Sequence, residues 1–478
     1  MATRGARTDD VQTQISPLGH AGRWLTDAGG RVVVLHGVNL VNKLPPYHPA
    51  AMGFDESHAR FLAEQGFNTV RLGLIWKAIE PGPGQYDSAY LDSIAETVSL
   101  LGGLGLHVLV DFHQDMYNER FNGEGAPDWA VQDDAVRAWP DIGFPGNYAV
   151  MRALWRAYDH FWANDPGPGG VGLQDRYASA WRHVAARFRD EPAVFGYDIF
   201  NEPFPGSAVI RCLRPGGSPR FDRRLSDFSR RVLDAIRAVD VRKLVFYEPH
   251  VLFDYGVDTH HEELRDPAVG FSFHDYCLAA SPGMPHLPGR LQDVACEKQE
   301  QRVFDQAERH SRRTGAALLL SEFGATDDLR TVDRAAELAD RNMVSWQYWA
   351  YFNRDPCCER PEEGIVRDLT AAPNGDNVKE SKLDVLVRPF PRAVSGTPTR
   401  LSFDRHSGRF ELSYSTRAPD GGYAQEGLTE VFIPTRHYRR GYRAQAQGAQ
   451  VVSTADAVVL RLAADPDAES VSVRVCPS

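Results

Sequence analysis

The chain is short of the features that announce several large protein classes. No apolar run in its 478 residues comes near the roughly 20 residues that span a bilayer, so no membrane-spanning helix is expected. No glycine-rich phosphate loop follows the first apolar run, where "VLHGVNLVNK" continues without GxGxxG, which speaks against an open dinucleotide-binding sheet. Positive charge is in deficit. Lys and Arg number 53 against 64 Asp and Glu, a formal net charge of −11, so broad polyanion binding is disfavoured and no nucleic-acid partner is expected. The six cysteines (Cys212, Cys277, Cys296, Cys357, Cys358, Cys476) show no CxxC spacing, and "HHEEL" (His260–Leu264) is not HExxH. No metal and no other cofactor is therefore expected.

The N-terminal stretch "MATRGARTDDVQTQISPLGHAGRW" lacks the apolar core of a secretory signal. The scattered cysteines suit a few disulfides, with free buried thiols the other reading, and on the disulfide reading the protein acts outside the cell. Cys277 and Cys296 are the expected pair, since a loop of about 20 residues is the least costly closure. These cysteines, with Cys212, Cys357 and Cys358, are expected in loops that follow strands.

What is present is a repeating grammar of short apolar runs and longer helical patterns. The runs are Val32–Asn39, Thr69–Trp76, His107–Gln114, Ala193–Glu202, Lys243–Glu248, Val269–Tyr276, Ala317–Gly324 and Val344–Tyr351. Near-continuous apolar runs are what strands buried on both faces look like. Helical patterns fall at Asp55–Gln65, Tyr86–Leu104, Tyr177–Phe188, Phe221–Val239, Gln299–Arg313 and Thr331–Arg341. Strands alternating with helices predict a parallel sheet, and eight such units predict a (β/α)8 barrel. After "LVRPFPRAVSG" (Leu386–Gly396) the pattern changes to alternating apolar and polar residues, as in "RFELSYS". That predicts a small antiparallel β-sandwich. The expected division is a catalytic barrel over residues 1–392 and a C-terminal sandwich over 393–478.

Polar residues end nearly every run: Asn39, Arg71, His113, Asn201 with Glu202, Glu248, His274 with Tyr276, Glu322 and Trp349. A lone strand-end glutamate or histidine is more often structural. A whole ring of them on one barrel face, where barrel active sites lie, is not. Glu202 and Glu322 end the fourth and seventh runs, so they can converge across the mouth to about 5 Å, the separation that retaining glycoside hydrolysis requires. The acid of such a pair needs a raised pKa, which burial and a neighbouring carboxylate supply. The nucleophile must stay ionised, and Arg71 is placed to hold it so. Asn201 is placed to bond the sugar 2-hydroxyl.

These residues resemble the clan A glycoside hydrolases of family five. The resemblance rests on "NEP" after the fourth run, "SEFG" at the seventh, Arg71, "FHDYC" and Trp349. More narrowly, "DFHQDMY" with "NGEGAPDWA" and "DIFNEPFPG" resembles the endoglycoceramidases, over roughly residues 30–395. The resemblance implies a retaining enzyme that releases intact oligosaccharide from the ceramide of a glycosphingolipid. It implies Glu202 as acid/base and Glu322 as nucleophile, with Tyr276 beside the nucleophile and Trp349 as the floor under the reacting sugar. His113, Asp115, Asn201 and His274 would bind sugar hydroxyls or orient the carboxylates. Lys43 falls where the family has a sugar-binding lysine, although a solvated loop lysine fits the sequence equally. Adjacent Cys357 and Cys358 and the segment 144–170 depart from the pattern.

The connection after the third run is long and holds Trp129, Trp139, Trp155 and Trp162. "YAVMRALWRAYDHFW" (Tyr148–Trp162) reads as an amphipathic helix. Its aromatics form either a satellite core under a large loop or an apolar groove for a lipid aglycone; both readings stand. Peripheral contact with membranes or micelles is expected, as is a monomer. The rival functions are a polysaccharide endo-hydrolase of the same clan, a non-catalytic glycolipid-binding protein and, third, a metalloenzyme.

Overall fold

The computed structural model describes residues 15–214, 216–280, 289–356, 359–424 and 427–478. Eight parallel strands close into a barrel: β1 (His36–Val41), β2 (Thr69–Ile75), β3 (His107–His113), β4 (Val194–Asp198), β5 (Leu244–Tyr247), β6 (Val269–Asp275), β7 (Ala317–Phe323) and β8 (Ser345–Tyr348). Every residue of β2 and β7 is buried, as sheets covered on both faces require.

The wrapping helices are α1 (Glu56–Glu64), α2 (Ser88–Gly103), α3 (Arg152–Ala163), α4 (Leu173–Phe188), α5 (Pro219–Arg237), α6 (Gly289–Thr314) and α7 (Leu329–Asn342). Local chemistry sets their starts. Asp55 accepts from the amides of Ser57 and His58 ahead of α1, and Ser218 accepts from Phe221 with Pro219 opening α5. The sequence shows no helical pattern between the fifth and sixth runs, and none forms: β5 is joined to β6 through a single 3-10 turn, Val251–Tyr255, and irregular chain. α6 starts ten residues earlier than its apolar pattern suggested.

The first apolar run is two strands rather than one. Val32–Val33 pairs antiparallel with Phe390–Val394, outside the barrel, and β1 begins at His36. The run looks continuous because its two halves feed different cores: Val32 packs in the sandwich and Val38 in the barrel. The sandwich has a four-stranded sheet (Thr397–Asp404, Arg409–Ser415, Ser470–Pro477 and Tyr442–Gln447) and a seven-stranded one. The larger sheet takes Gly19–Ala21, Trp24–Thr26 and Val32–Val33 from the N-terminal side and Phe390–Val394, Leu428–Phe432, Ala449–Val451 and Val459–Ala464 from the C-terminal side. It therefore crosses the division expected at residue 392.

The barrel and the sandwich share a buried joint. His36 is stacked between Trp346 and Phe390, with ring centroids 4.1 and 3.9 Å away. Buried Arg388 bonds Asp340 at 2.7 Å and Asp333 at 2.8 Å. Gly66 lies so close to Phe432 that a Cβ there would meet the ring at 2.1 Å.

The connection after β3 breaks at Met151, whose extended backbone separates a short turn (Asn147–Val150) from α3. Phe161 is fully buried against Trp76, Tyr177, Phe200 and Phe228, and Trp162 packs on Phe221 and Phe228. These two aromatics belong to the main core of the barrel, neither to a separate satellite cluster nor to an open groove. Cys277 and Cys296 form a disulfide with a Cα separation of 5.2 Å. Cys296 lies inside α6 and Cys212 in a short helix (Val209–Cys212), not in loops. Among the described residues Cys212 and Cys476 are free; Cys357 and Cys358 lie outside them.

Candidate active site

Arg71, the third residue of β2, has no exposed surface and points into the barrel. A buried guanidinium needs its donors filled and its charge matched. Its Nε donates to Asp198 at 3.0 Å, one terminal nitrogen to Glu322 at 2.7 Å and Asn39 at 3.2 Å, and the other to Glu248 at 2.9 Å and Asn201 at 3.0 Å. Asp111 adds a carboxylate oxygen at 3.0 Å. Burial alone would depress the Arg71 pKa, but these carboxylates hold it well above its ordinary value. One cation facing four acids also leaves some acids high. Asp198 is pushed up to about 8 by burial, with Arg71 opposing and Glu248 and Asp111 adding to it.

Glu322 sits beside a register shift in β7, between Leu320 and Glu322. A bulge of this kind re-aims a side chain. The carboxylate meets Arg71 on one oxygen, and on the other accepts from the Tyr276 hydroxyl at 2.9 Å. Burial, with the Glu322 charge behind it, holds that hydroxyl protonated far above its usual range.

Glu202 lies four residues beyond the end of β4, at φ 45°, a conformation non-glycine residues rarely take. The turn is over-determined. Glu202 N–H donates to Glu248 at 2.8 Å, and the Gln114 side chain donates to the carbonyls of Asn201 and Glu202 at 2.8 and 3.2 Å. Gln114 is held in turn by the Tyr158 hydroxyl of α3 at 2.6 Å. His274 Nδ1 lies 3.0 Å from Glu202 and 3.5 Å from Glu322, and its Nε2 lies 3.3 Å from Glu248. The nearest oxygens of the two catalytic candidates are therefore no further apart than those two contacts end to end. That is at or below the short limit of the roughly 6.5–9.5 Å needed to admit an inverting water. Burial raises the Glu202 pKa, His274 opposes, and Glu322 and Asp115 add to the rise. Burial would lower His274, but the surrounding carboxylates outweigh it and keep the ring protonated. Asp254 brings a further buried carboxyl within 4.8 Å of Glu202 and His274.

The other sequence candidates assemble around Trp349. Its ring stacks on His113 with centroids 5.1 Å apart, and Lys43 Nζ sits 4.6 Å over it. Lys43 is buried, not a solvated loop lysine. It bonds Asp115 at 2.5 Å and Asp355 at 2.9 Å, with Glu124 at 3.8 Å. The Trp349 indole donates to Glu363 at 2.7 Å. Burial lowers His113, but hydrogen bonds to Asp111 and Asp115 carry it up to about 9. Glu124, Asp355, Glu363 and Gln114 escaped the sequence reading. Asp355 and Glu363 lie in an irregular loop with no period to flag them, whereas Gln114 and Glu124 sat inside the very segments that carry the resemblance. His113, Asp115 and Glu124 bring three ligand atoms within 4.8 Å, but Lys43 already supplies the cation between Asp115 and Glu124.

The comparisons with known proteins agree with this geometry. Residues 26–355 match the model of cellulase, glycosyl hydrolase family 5, and residues 388–475 match the glycoside hydrolase family 5 C-terminal domain. The chain is 32% identical to endoglycoceramidase I of Rhodococcus hoagii, over 95% of this chain and 87% of that protein. It is 28% identical to the endoglycoceramidase of Cyanea nozakii, over 92% and 88%. Endo-glycoceramidase II from Rhodococcus sp. in its ganglioside GM3 complex superposes with a TM-score of 0.79 at 28% identity, covering 95% of this chain and 99% of that one. Its lactosyl-enzyme intermediate gives 0.77 with the same identity and coverage. On the sequence match and on the paired carboxylates at the barrel mouth, the chain belongs to glycosyl hydrolase family 5.

Proposed function

We propose that the protein is a retaining endoglycoceramidase: it cleaves the β-glycosidic bond between the oligosaccharide and the ceramide of a glycosphingolipid. The observation that carries the mechanism is a single imidazole, His274, touching both carboxylates, with Glu322 tied to Arg71 and Tyr276. Glu322 attacks the anomeric carbon while protonated Glu202 gives its proton to the departing ceramide oxygen. The C–O bond to ceramide breaks and a glycosyl ester forms on Glu322. Glu202, now a carboxylate, takes a proton from water, and the resulting hydroxide attacks the same carbon and frees Glu322. Trp349 lies under the reacting sugar, and Lys43, His113, Asp115 and Asn201 bond its hydroxyls. The relatives' names support ceramide as the leaving group, and the ganglioside complex supports the glycolipid class.

Exposed apolar side chains favour the lipid substrate over a polysaccharide. Trp139, Ile142, Ile210, Leu213 and Leu291 are each 60–65% exposed, and all lie in segments that leave the C-terminal ends of β3, β4 and β6. Their place after these strands suits contact with a membrane or micelle surface. Action outside the cell belongs to the same reading, supported by the disulfide.

Digestion of lactosylceramide with product identification tests the function. Intact lactose and ceramide are the expected products; release of single sugars, or activity confined to soluble β-glucans, would overturn it. Glu322→Gly should be inactive and partly restored by azide, which replaces the missing nucleophile.

A further inference from the structure

β6 stops pairing at Asp275, and the next residue is Tyr276, whose hydroxyl bonds Glu322. The aim of that hydroxyl depends on what fixes the chain just past the strand. The Tyr276 carbonyl and the Leu278 N–H lie beyond the ladder, and both go to one side chain, Gln299 of α6. Its amide nitrogen donates to the Tyr276 carbonyl at 2.8 Å, and its oxygen accepts from Leu278 N–H at 3.1 Å. The same nitrogen donates to the carbonyl of Asp254, at 3.1 Å, in the turn after β5. A glutamine side chain has two N–H donors and an acceptor oxygen, so the backbone of two loops at the site engages both ends of its amide.

Residue 277, between those two backbone groups, is the cysteine bonded to Cys296. Cys296 lies three residues before Gln299, on the same face of α6. One helical turn therefore grips residues 276–278 twice, once covalently. That turn is anchored in its own right. Buried Glu300 accepts from Arg334 of α7 at 2.6 and 2.9 Å, and α7 follows β7, the strand that bears Glu322. The nucleophile and the hydroxyl that bonds it are thus tied to one pair of packed helices.

Resting on the reading of Glu322 as nucleophile, we propose that Gln299, locked by the Cys277–Cys296 bridge, is a positioning residue that holds the Tyr276 hydroxyl on Glu322 during attack on the anomeric carbon. Tyr276 touches the reacting carboxylate, and Gln299 acts only through it. Loss of a hydrogen bond to a charged group costs roughly 10- to 100-fold, which is the ceiling on what Gln299 can contribute to the rate.

The test is a double-mutant cycle read in the burst of aryl alcohol from an activated aryl lactoside. Burst amplitude counts folded sites, whereas burst rate reports the attack by Glu322. Gln299→Met keeps the side-chain length and deletes the hydrogen bonds. It should lower the burst rate about tenfold, at unchanged amplitude and with KM little changed. In a Tyr276→Phe background, which has no hydroxyl to aim, the same substitution should change the rate by less than about twofold. Cys277→Ser with Cys296→Ser should slow the burst in the wild-type background and spare it in the Tyr276→Phe background. An unchanged rate for Gln299→Met, a loss as large in the Tyr276→Phe background as in the wild type, or a loss confined to the amplitude would overturn the positioning role. Should Gln299→Met not fold, Gln299→Glu, which keeps the shape and loses both donors, decides by the same criteria. The lipid reading fails separately: a wild type that gives the aryl burst but frees no lactose from lactosylceramide refutes ceramide as leaving group and leaves the cycle readable.

Discussion

Glu202 shows how burial is turned to chemistry one residue at a time. The acid must hold a proton at the working pH, and burial keeps its pKa above that of a free carboxyl, about 4.3. The basic limb of kcat/KM should therefore lie above the free value, with activity lost as pH rises through the Glu202 pKa. Glu202→Gln should remove that limb and slow natural glycolipids by about 10²–10⁴-fold, with much less effect on activated aryl lactosides. Equal losses on both would refute the role. His113 makes a second prediction, about stability. Its folded pKa of about 9 lies above the ordinary 6.5, so its contribution is complete below pH 6.5 and lost as pH rises through 9. The stability difference between wild type and His113→Asn should shrink over that window, by on the order of 3 kcal/mol. A difference flat from pH 6 to 9.5 would mean the ring is not charged. The strand-end candidates were legible because polar residues stand out where an apolar run stops. Asp111 and Asp198 were not: each lies within a run, and nothing local shows that Arg71, on a strand far away in sequence, is there to neutralise them.

At the scale of elements, α3 is a support. In the sequence its aromatics suited either a satellite core or a lipid groove, because amphipathicity gives a direction but not the partner. Phe161 and Trp162 face the core, while Tyr158 reaches Gln114, which in turn fixes the turn bearing Glu202. Tyr158→Phe should keep the fold and remove one net hydrogen bond, worth about 0.5–1.5 kcal/mol. The effect should appear in kcat for poor leaving groups and spare KM, since the acid alone is loosened. Phe161→Ala should instead lower stability by about 3–5 kcal/mol and reduce glycolipid and aryl lactoside hydrolysis together. A loss confined to the glycolipid would return this residue to a lipid groove. The eight strands were legible because both faces of each are buried. The break at Val34 was not, since the residues on either side are equally apolar and only their separate cores divide them. The absence of a helix after β5 was legible, since no helical pattern lies between Glu248 and Val269.

For the whole molecule, the alternation after Gly396 announced a sandwich, but nothing local announced that residues 19–33 would complete it. Val33 pairs with Ala393, 360 residues away, and such long pairings leave no periodic trace. Their consequence is mechanical. The first described strands lie in the sandwich sheet, and the chain then builds the barrel and returns to that sheet, so the sandwich is not complete without residues that precede the barrel. His36 heads β1 and is stacked on Phe390, and Phe432, 4% exposed, fills the space over Gly66. Phe432→Ala would leave a cavity in this joint and cost about 3–5 kcal/mol. Its effect should not stay in the sandwich. Calorimetry of the wild type should show one cooperative transition, and the variant should lower its midpoint while keeping it single. Catalytic activity should disappear on heating at that same lowered midpoint, because β1 carries Asn39, a ligand of Arg71. If the sandwich melts first in the variant and the barrel stays active to the original midpoint, the two units are independent and the joint is only a contact.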